Sequence, residues 1–122
     1  MTDEVRLVSE LSGDTYKNSV GSEVTIIKIE NNILMTAKEM AKLYGVQRPA
    51  IYRQLKDIYK SKQLIKKEVS SILTHRADDG KLYRTTFYNF VAIVAVGKNL
   101  KSPEAENFVK WLGLSDTKKI TA

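Results

Sequence analysis

Hydrophobic spacing changes period three times along this chain, and that alternation limits the folds open to it. Between Glu23 and Met35 apolar residues recur at a spacing near two. From Ala37 to Tyr59 the spacing is helical, from Val69 to Tyr88 it returns to two, and from Phe90 to Leu112 it is helical again. Strand and helix segments in that order read as an α+β fold. The 122 residues amount to one domain, and 43% hydrophobic content supplies its core.

Local signals set the expected boundaries. Residues 1–22 are rich in Ser, Thr, Gly and Asp with weak periodicity, and read as a flexible acidic leader. Residues 23–112 form the folded domain, and residues 113–122 read as a frayed tail. Glu23–Ile29 and Ile33–Met35, joined by Glu30-Asn31-Asn32, predict an N-terminal β-hairpin. Thr36 with Glu39 three residues on is a capping box, in which hydroxyl and carboxylate serve each other's amides. Gly45 stops the first helix, and the second starts near Gln47–Arg48 with Pro49 in its first turn. A second hairpin turns through Ala77-Asp78-Asp79-Gly80-Lys81. Asn89 caps a helix that is apolar nearly all round, hence buried, and Gly97 ends it. Ser102 and Pro103 open the last helix.

Two short helices joined by Tyr44-Gly45-Val46 suggest a helix–turn–helix. Ala41 is small where the helices approach, and Gly45 accepts positive φ. Met40, Tyr44, Val46, Ile51 and Leu55 fall at the packing positions, while Gln54 occupies a place more often apolar. The net charge of +6 is concentrated on the middle quarter of the chain, which contains this pair: residues 37–67 carry +7, residues 1–36 carry −3, and residues 68–122 carry +2. A charged stretch can be a solvated helix face or a polyanion-binding face. The outward residues of the second helix (Gln47, Arg48, Ala50, Tyr52, Arg53 and Lys56) lack a carboxylate until Asp57. A structural helix more often mixes Glu with Lys at four-residue spacing. Arg reads guanine edges, Gln reads adenine edges, and Tyr and Lys contact phosphates. The candidate DNA-binding set is therefore Lys38, Lys42, Gln47, Arg48, Tyr52, Arg53, Lys56 and Lys60, with Arg76, Lys81 and Arg84 from the second hairpin.

That hairpin completes a winged arrangement, but its tip also carries Asp78 and Asp79. It reads either as a DNA-contacting wing or as a sheet edge whose Asp residues shape the turn. His75 reads as an ordinary strand residue before it reads as a phosphate contact. Phe108, Trp111 and Tyr88 read as core or dimer contacts.

Other chemistries find no residues to carry them. Cysteine is absent, which removes disulfides, zinc fingers, iron–sulfur sites and thiol nucleophiles. One histidine leaves no His-pair metal site, and no phosphate loop is visible, so neither an enzyme nor a cofactor is expected. Glu104 and Glu106 are explained by the positive end of the last helix. No apolar run is long enough for a membrane span, and the acidic N-terminus is unlike a signal peptide, so a cytoplasmic location is expected, in a host cell if the protein is viral.

The run Leu34-Met35-Thr36-Ala37, Met40-Ala41, Leu43-Tyr44, then Ala77-Asp78-Asp79-Gly80-Lys81-Leu82-Tyr83-Arg84-Thr85, Tyr88-Asn89 and Val96-Gly97 resembles the N-terminal region of the virulence-associated RhuM family. Ser102–Leu112 is similar to the close of the Bro-N and KilA-N domains of phage antirepressors and viral DNA-binding proteins. The resemblance covers about residues 33–112, and Lys98 stands where RhuM proteins carry tyrosine. It implies a DNA-binding domain of a phage, plasmid or virus. The expectation is a winged helix–turn–helix with an N-terminal β-hairpin, a wing hairpin and two C-terminal helices. It would act as a sequence-specific regulator on double-stranded DNA, as a homodimer reading paired half-sites. The alternative is a small protein-interaction module, an antirepressor or inhibitor, whose basic face binds an acidic protein.

Overall fold

A computed structural model describes residues 12–29, 32–76 and 79–115. They form an α+β domain with a five-stranded antiparallel sheet and five helices. The strands are β1 (Ser12–Lys17), β2 (Glu23–Ile29), β3 (Asn32–Thr36), β4 (Ser70–Arg76) and β5 (Leu82–Asn89). The helices are α1 (Ala37–Tyr44), α2 (Arg48–Lys60), the short α3 (Lys66–Val69), α4 (Phe90–Asn99) and α5 (Pro103–Ser115). Sheet order is β1-β2-β3-β5-β4, so α1, α2 and α3 are inserted between a central strand and an edge strand.

Strand alternation sorts the core. Val24, Ile26, Met35 and Tyr88 point to the face that the helices cover and join the main core. Ile27, Leu34 and Phe87 form a smaller cluster with Leu73. The expected hairpin is present, with Ile27 opposite Leu34. Met40, Tyr44, Ile51 and Leu55 are buried between the helices as their spacing predicts, and Val46 packs against them. Gly45 takes φ +66 at the end of α1, as expected.

The leader reading is corrected over residues 12–22. Ser12–Lys17 is the edge strand β1, paired along its length with β2. Tyr16 sinks into the core, with its ring 5.3 Å from Phe108 and 5.0 Å from Trp111. Asn18 is also buried: its amide donates to the carbonyls of Lys42 and Leu43 at 3.2 and 3.1 Å, and its oxygen accepts from Val20 and Ser22 N–H. The β1–β2 turn thus satisfies carbonyls that α1 leaves open at its end. A second tie comes from α5, where buried Glu104 accepts from the Ser19 hydroxyl and from Ser19 N–H. The acid sits at the helix N-terminus as expected, but it also anchors the turn. Residues 1–11 of the leader and 116–122 of the tail lie outside the described residues, as do Ala77 and Asp78 of the second turn. The tail reading is corrected at its start, because α5 runs on to Ser115.

The capping box forms by half. Thr36 accepts from Glu39 N–H at 3.2 Å, but the Glu39 carboxylate accepts from Thr25 N–H at 2.8 Å, tying α1 to β2. Asn89 and Ser102 cap α4 and α5 as expected.

Gly97 does not end its helix. Helix α4 continues to Asn99, and the glycine serves a close approach. A Cβ there would lie 2.5 Å from Tyr44 Oη, 2.6 Å from Tyr44 Cζ and 2.7 Å from Ala105 Cβ. The Tyr44 hydroxyl donates to the Ile93 carbonyl at 2.5 Å across this gap. The helix ends instead at Leu100, with Lys101 at φ 57, Ser102 N–H donating to Gly97 C=O and Lys101 N–H to Lys98 C=O. Helix α2 ends the same way through Lys62 at φ 63. Both are Schellman closures with lysine where glycine is usual. Nor is α4 buried all round: Val91 is 49% exposed, and Phe90, Val94 and Ala95 are half-buried.

Candidate nucleic-acid interface

Helix α2 is two-sided. Ile51, Leu55 and Ile58 recur at helical spacing and are buried. Arg53, Lys56 and Lys60 lie on the opposite side and are exposed. Arg48 and Gln47 are exposed at its start, and Tyr52 is 51% exposed. Gln47 occupies the cap position without using its side chain as a cap, so its amide stays available to a partner. Among the described residues, no ion pair engages a cation of α2. Only Asp57 adds an acid to the exposed side of this helix.

Helix α1 adds Lys38 and Lys42, exposed one turn apart. Lys42 is 3.4 Å from Glu39, an exposed pair of small energetic weight. Exposed Lys62, Lys66 and Lys67 extend the basic surface beyond α2. They belong to the +7 of residues 37–67 but lie outside the two-helix motif.

The base of the second hairpin meets α2. Tyr88 of β5 is buried, and burial together with nearby Tyr59 and Tyr52 pushes its hydroxyl up to about 12. Burial also raises Tyr59, whose hydroxyl oxygen is enclosed with no hydrogen-bond partner among the described residues. At the other end, Gly80 takes φ +82 and Asp79 shapes the turn. Its carboxylate accepts from the Tyr83 hydroxyl at 2.6 Å and from Lys81 N–H at 2.8 Å. Those bonds hold Asp79 below the usual carboxylate range and raise Tyr83. Lys81 and Arg84 are exposed nearby. Arg84 shares the helix-covered sheet face with Tyr88, while Tyr83 points the other way. Arg76 and His75 close β4, and their side chains lie outside the described residues.

The structure thus groups Lys38, Lys42, Gln47, Arg48, Tyr52, Arg53, Lys56 and Lys60 on the exposed sides of the helix pair. It places Lys81 and Arg84 on a separate element. Phe108 and Tyr88 are core residues, and Trp111 stands at the core's edge. Among the described residues, no group of three or more His, Asp or Glu could hold a metal ion. None of the described helices is long and apolar enough to cross a membrane. Comparison with protein-family models, with curated proteins and with solved structures found no match.

Proposed function

We propose that this protein is a sequence-specific double-stranded DNA-binding regulator, with α2 lying in the major groove. The observation that carries the reading is the division of α2: its apolar residues are buried, while Arg48, Tyr52, Arg53, Lys56 and Lys60 stand in solvent, free of ion pairs among the described residues. A helix with unneutralised cations on its outer side fits a groove flanked by two phosphate rows. Arg48, Tyr52 and Arg53 would contact base edges or nearby phosphates. Lys38, Lys42, Lys56 and Lys60 would neutralise the backbone.

The connectivity supports a winged helix–turn–helix. Strand β3, which leads into the helix pair, joins the second strand of the hairpin that follows it. That pairing fixes the hairpin beside the helices, where Lys81 and Arg84 could reach an adjacent phosphate. The resemblance to the RhuM family points the same way and supplies the setting, a phage, plasmid or virus. The test is an electrophoretic mobility shift with mixed-sequence duplex at low salt. The wild-type chain retards the duplex, and the Arg48→Ala/Arg53→Ala variant does so much less. A wild-type chain that leaves the duplex unshifted would refute the reading.

A further inference from the structure

Helices α4 and α5 leave a groove open between them. It encloses about 690 Å3, and no residue of α1 or α2 lines it. Phe90 and Val94 of α4 and Ala105 and Val109 of α5 supply its apolar lining. Val109 is 39% exposed, and Val91, one turn before Val94, is 49% exposed. The apolar stripe of α4 therefore extends into solvent instead of closing inside the domain. Lone exposed valines are ordinary, but a contiguous apolar furrow between two helices has the form of a helix-docking groove.

The rim says what kind of helix. Lys98, Lys101 and Lys110 border the groove, against one acid, Glu106. All four are exposed, and none forms an ion pair among the described residues. Lys101 stands at the left-handed closure of α4, at the mouth of the groove. A second copy of this chain would bring the same lysines against these. An occupant with an apolar stripe flanked by carboxylates would meet the lining and the rim together.

We propose that the α4–α5 groove docks an acidic amphipathic helix of a partner protein, its apolar side on Phe90, Val94 and Val109 and its carboxylates on Lys98, Lys101 and Lys110. The groove shares no lining residue with the candidate DNA-binding set, so a regulator could hold DNA and a protein partner at once.

The test is fluorescence anisotropy of the whole chain with a labelled peptide of about four helical turns carrying Leu at helical spacing and Glu elsewhere. A Leu/Lys peptide of the same pattern is the control. The Glu peptide should bind, and the Lys peptide should not. Lys98→Glu/Lys110→Glu, at exposed positions that leave the core intact, should weaken the Glu peptide by about tenfold or more. Val109→Asp should do the same, whereas Arg53→Ala should leave peptide binding unchanged. Equal binding of both peptides, or indifference to the charge-reversed pair, would overturn the proposal. So would sedimentation showing a dimer of this chain that Val109→Asp dissolves, because the groove would then be a self-association surface.

Discussion

Replacing Gly97 with alanine tests the packing of α1 against α4 and α5, because helix propensity and local space pull in opposite directions. In an open helix the change would stabilise by about 1 kcal/mol. Here the new methyl would lie 2.5–2.6 Å from Tyr44 and 2.7 Å from Ala105, and both residues are buried. Tyr44 cannot turn away without losing the bond to Ile93 C=O, and Ala105 cannot move without α5. Overpacking of this kind costs about 1–3 kcal/mol, and the loss of the buried hydrogen bond adds about 1 kcal/mol. Less the propensity gain, the net loss is about 1–3 kcal/mol, or roughly 4–12 °C in Tm for a domain of this size. Urea unfolding followed by circular dichroism should show a lower midpoint at unchanged slope. Gly97→Ala/Tyr44→Phe should recover only part of the loss, since the ring carbon still crowds the methyl. A Gly97→Ala protein as stable as wild type, or more stable, would refute the close approach and return Gly97 to a simple helix punctuator.

Asn18→Ala should destabilise by about 2–4 kcal/mol in the same assay, because it strips hydrogen bonds from the β1–β2 turn and from two carbonyls at the end of α1. Tyr59→Phe should be neutral or stabilising by up to about 1 kcal/mol, since the hydroxyl it removes is enclosed and unpartnered among the described residues. Stability should fall between pH 10 and about 12, because the unfolded chain releases the Tyr88 proton near 10.0 while the folded chain holds it to about 12. Denaturant titrations across that range check the slope, and Tyr88→Phe should lessen it only in part, because burial also raises Tyr44, Tyr16 and Tyr59.

The helix pair, the two hairpins and the caps were legible because each rests on local chemistry: Thr36, Gly45, Asn89 and Ser102 act within a few residues of themselves. The alternation of Glu23–Met35 and the spacing of Met40, Tyr44, Ile51 and Leu55 likewise reported core faces directly. Strand β1 was not legible. Its apolar content is essentially Tyr16, and what holds the following turn is Asn18 and Ser19 reaching α1 and α5, contacts up to 85 positions apart. Gly97 misled because spacing cannot separate a glycine that ends a helix from one that admits a neighbour. The Schellman ends at Lys62 and Lys101 were hidden by residue type. The outward side of α2 was readable as soon as its inward side was. The groove of α4 and α5 was not, because an apolar helix gives no sign of which stripe its own chain leaves uncovered.

The proposed function has α2 meet DNA with its solvent-facing cations. Its most direct measurement is the salt dependence of duplex affinity for the wild-type chain and for Arg53→Ala/Lys56→Ala. With about five phosphates engaged per chain, the slope of log K against log salt should be near −4 to −5, or about double that for a homodimer, and the double variant should flatten it by about 2 per chain while retaining its fold. A wild-type slope near zero, or a variant with unaltered slope and affinity, would contradict DNA binding through α2.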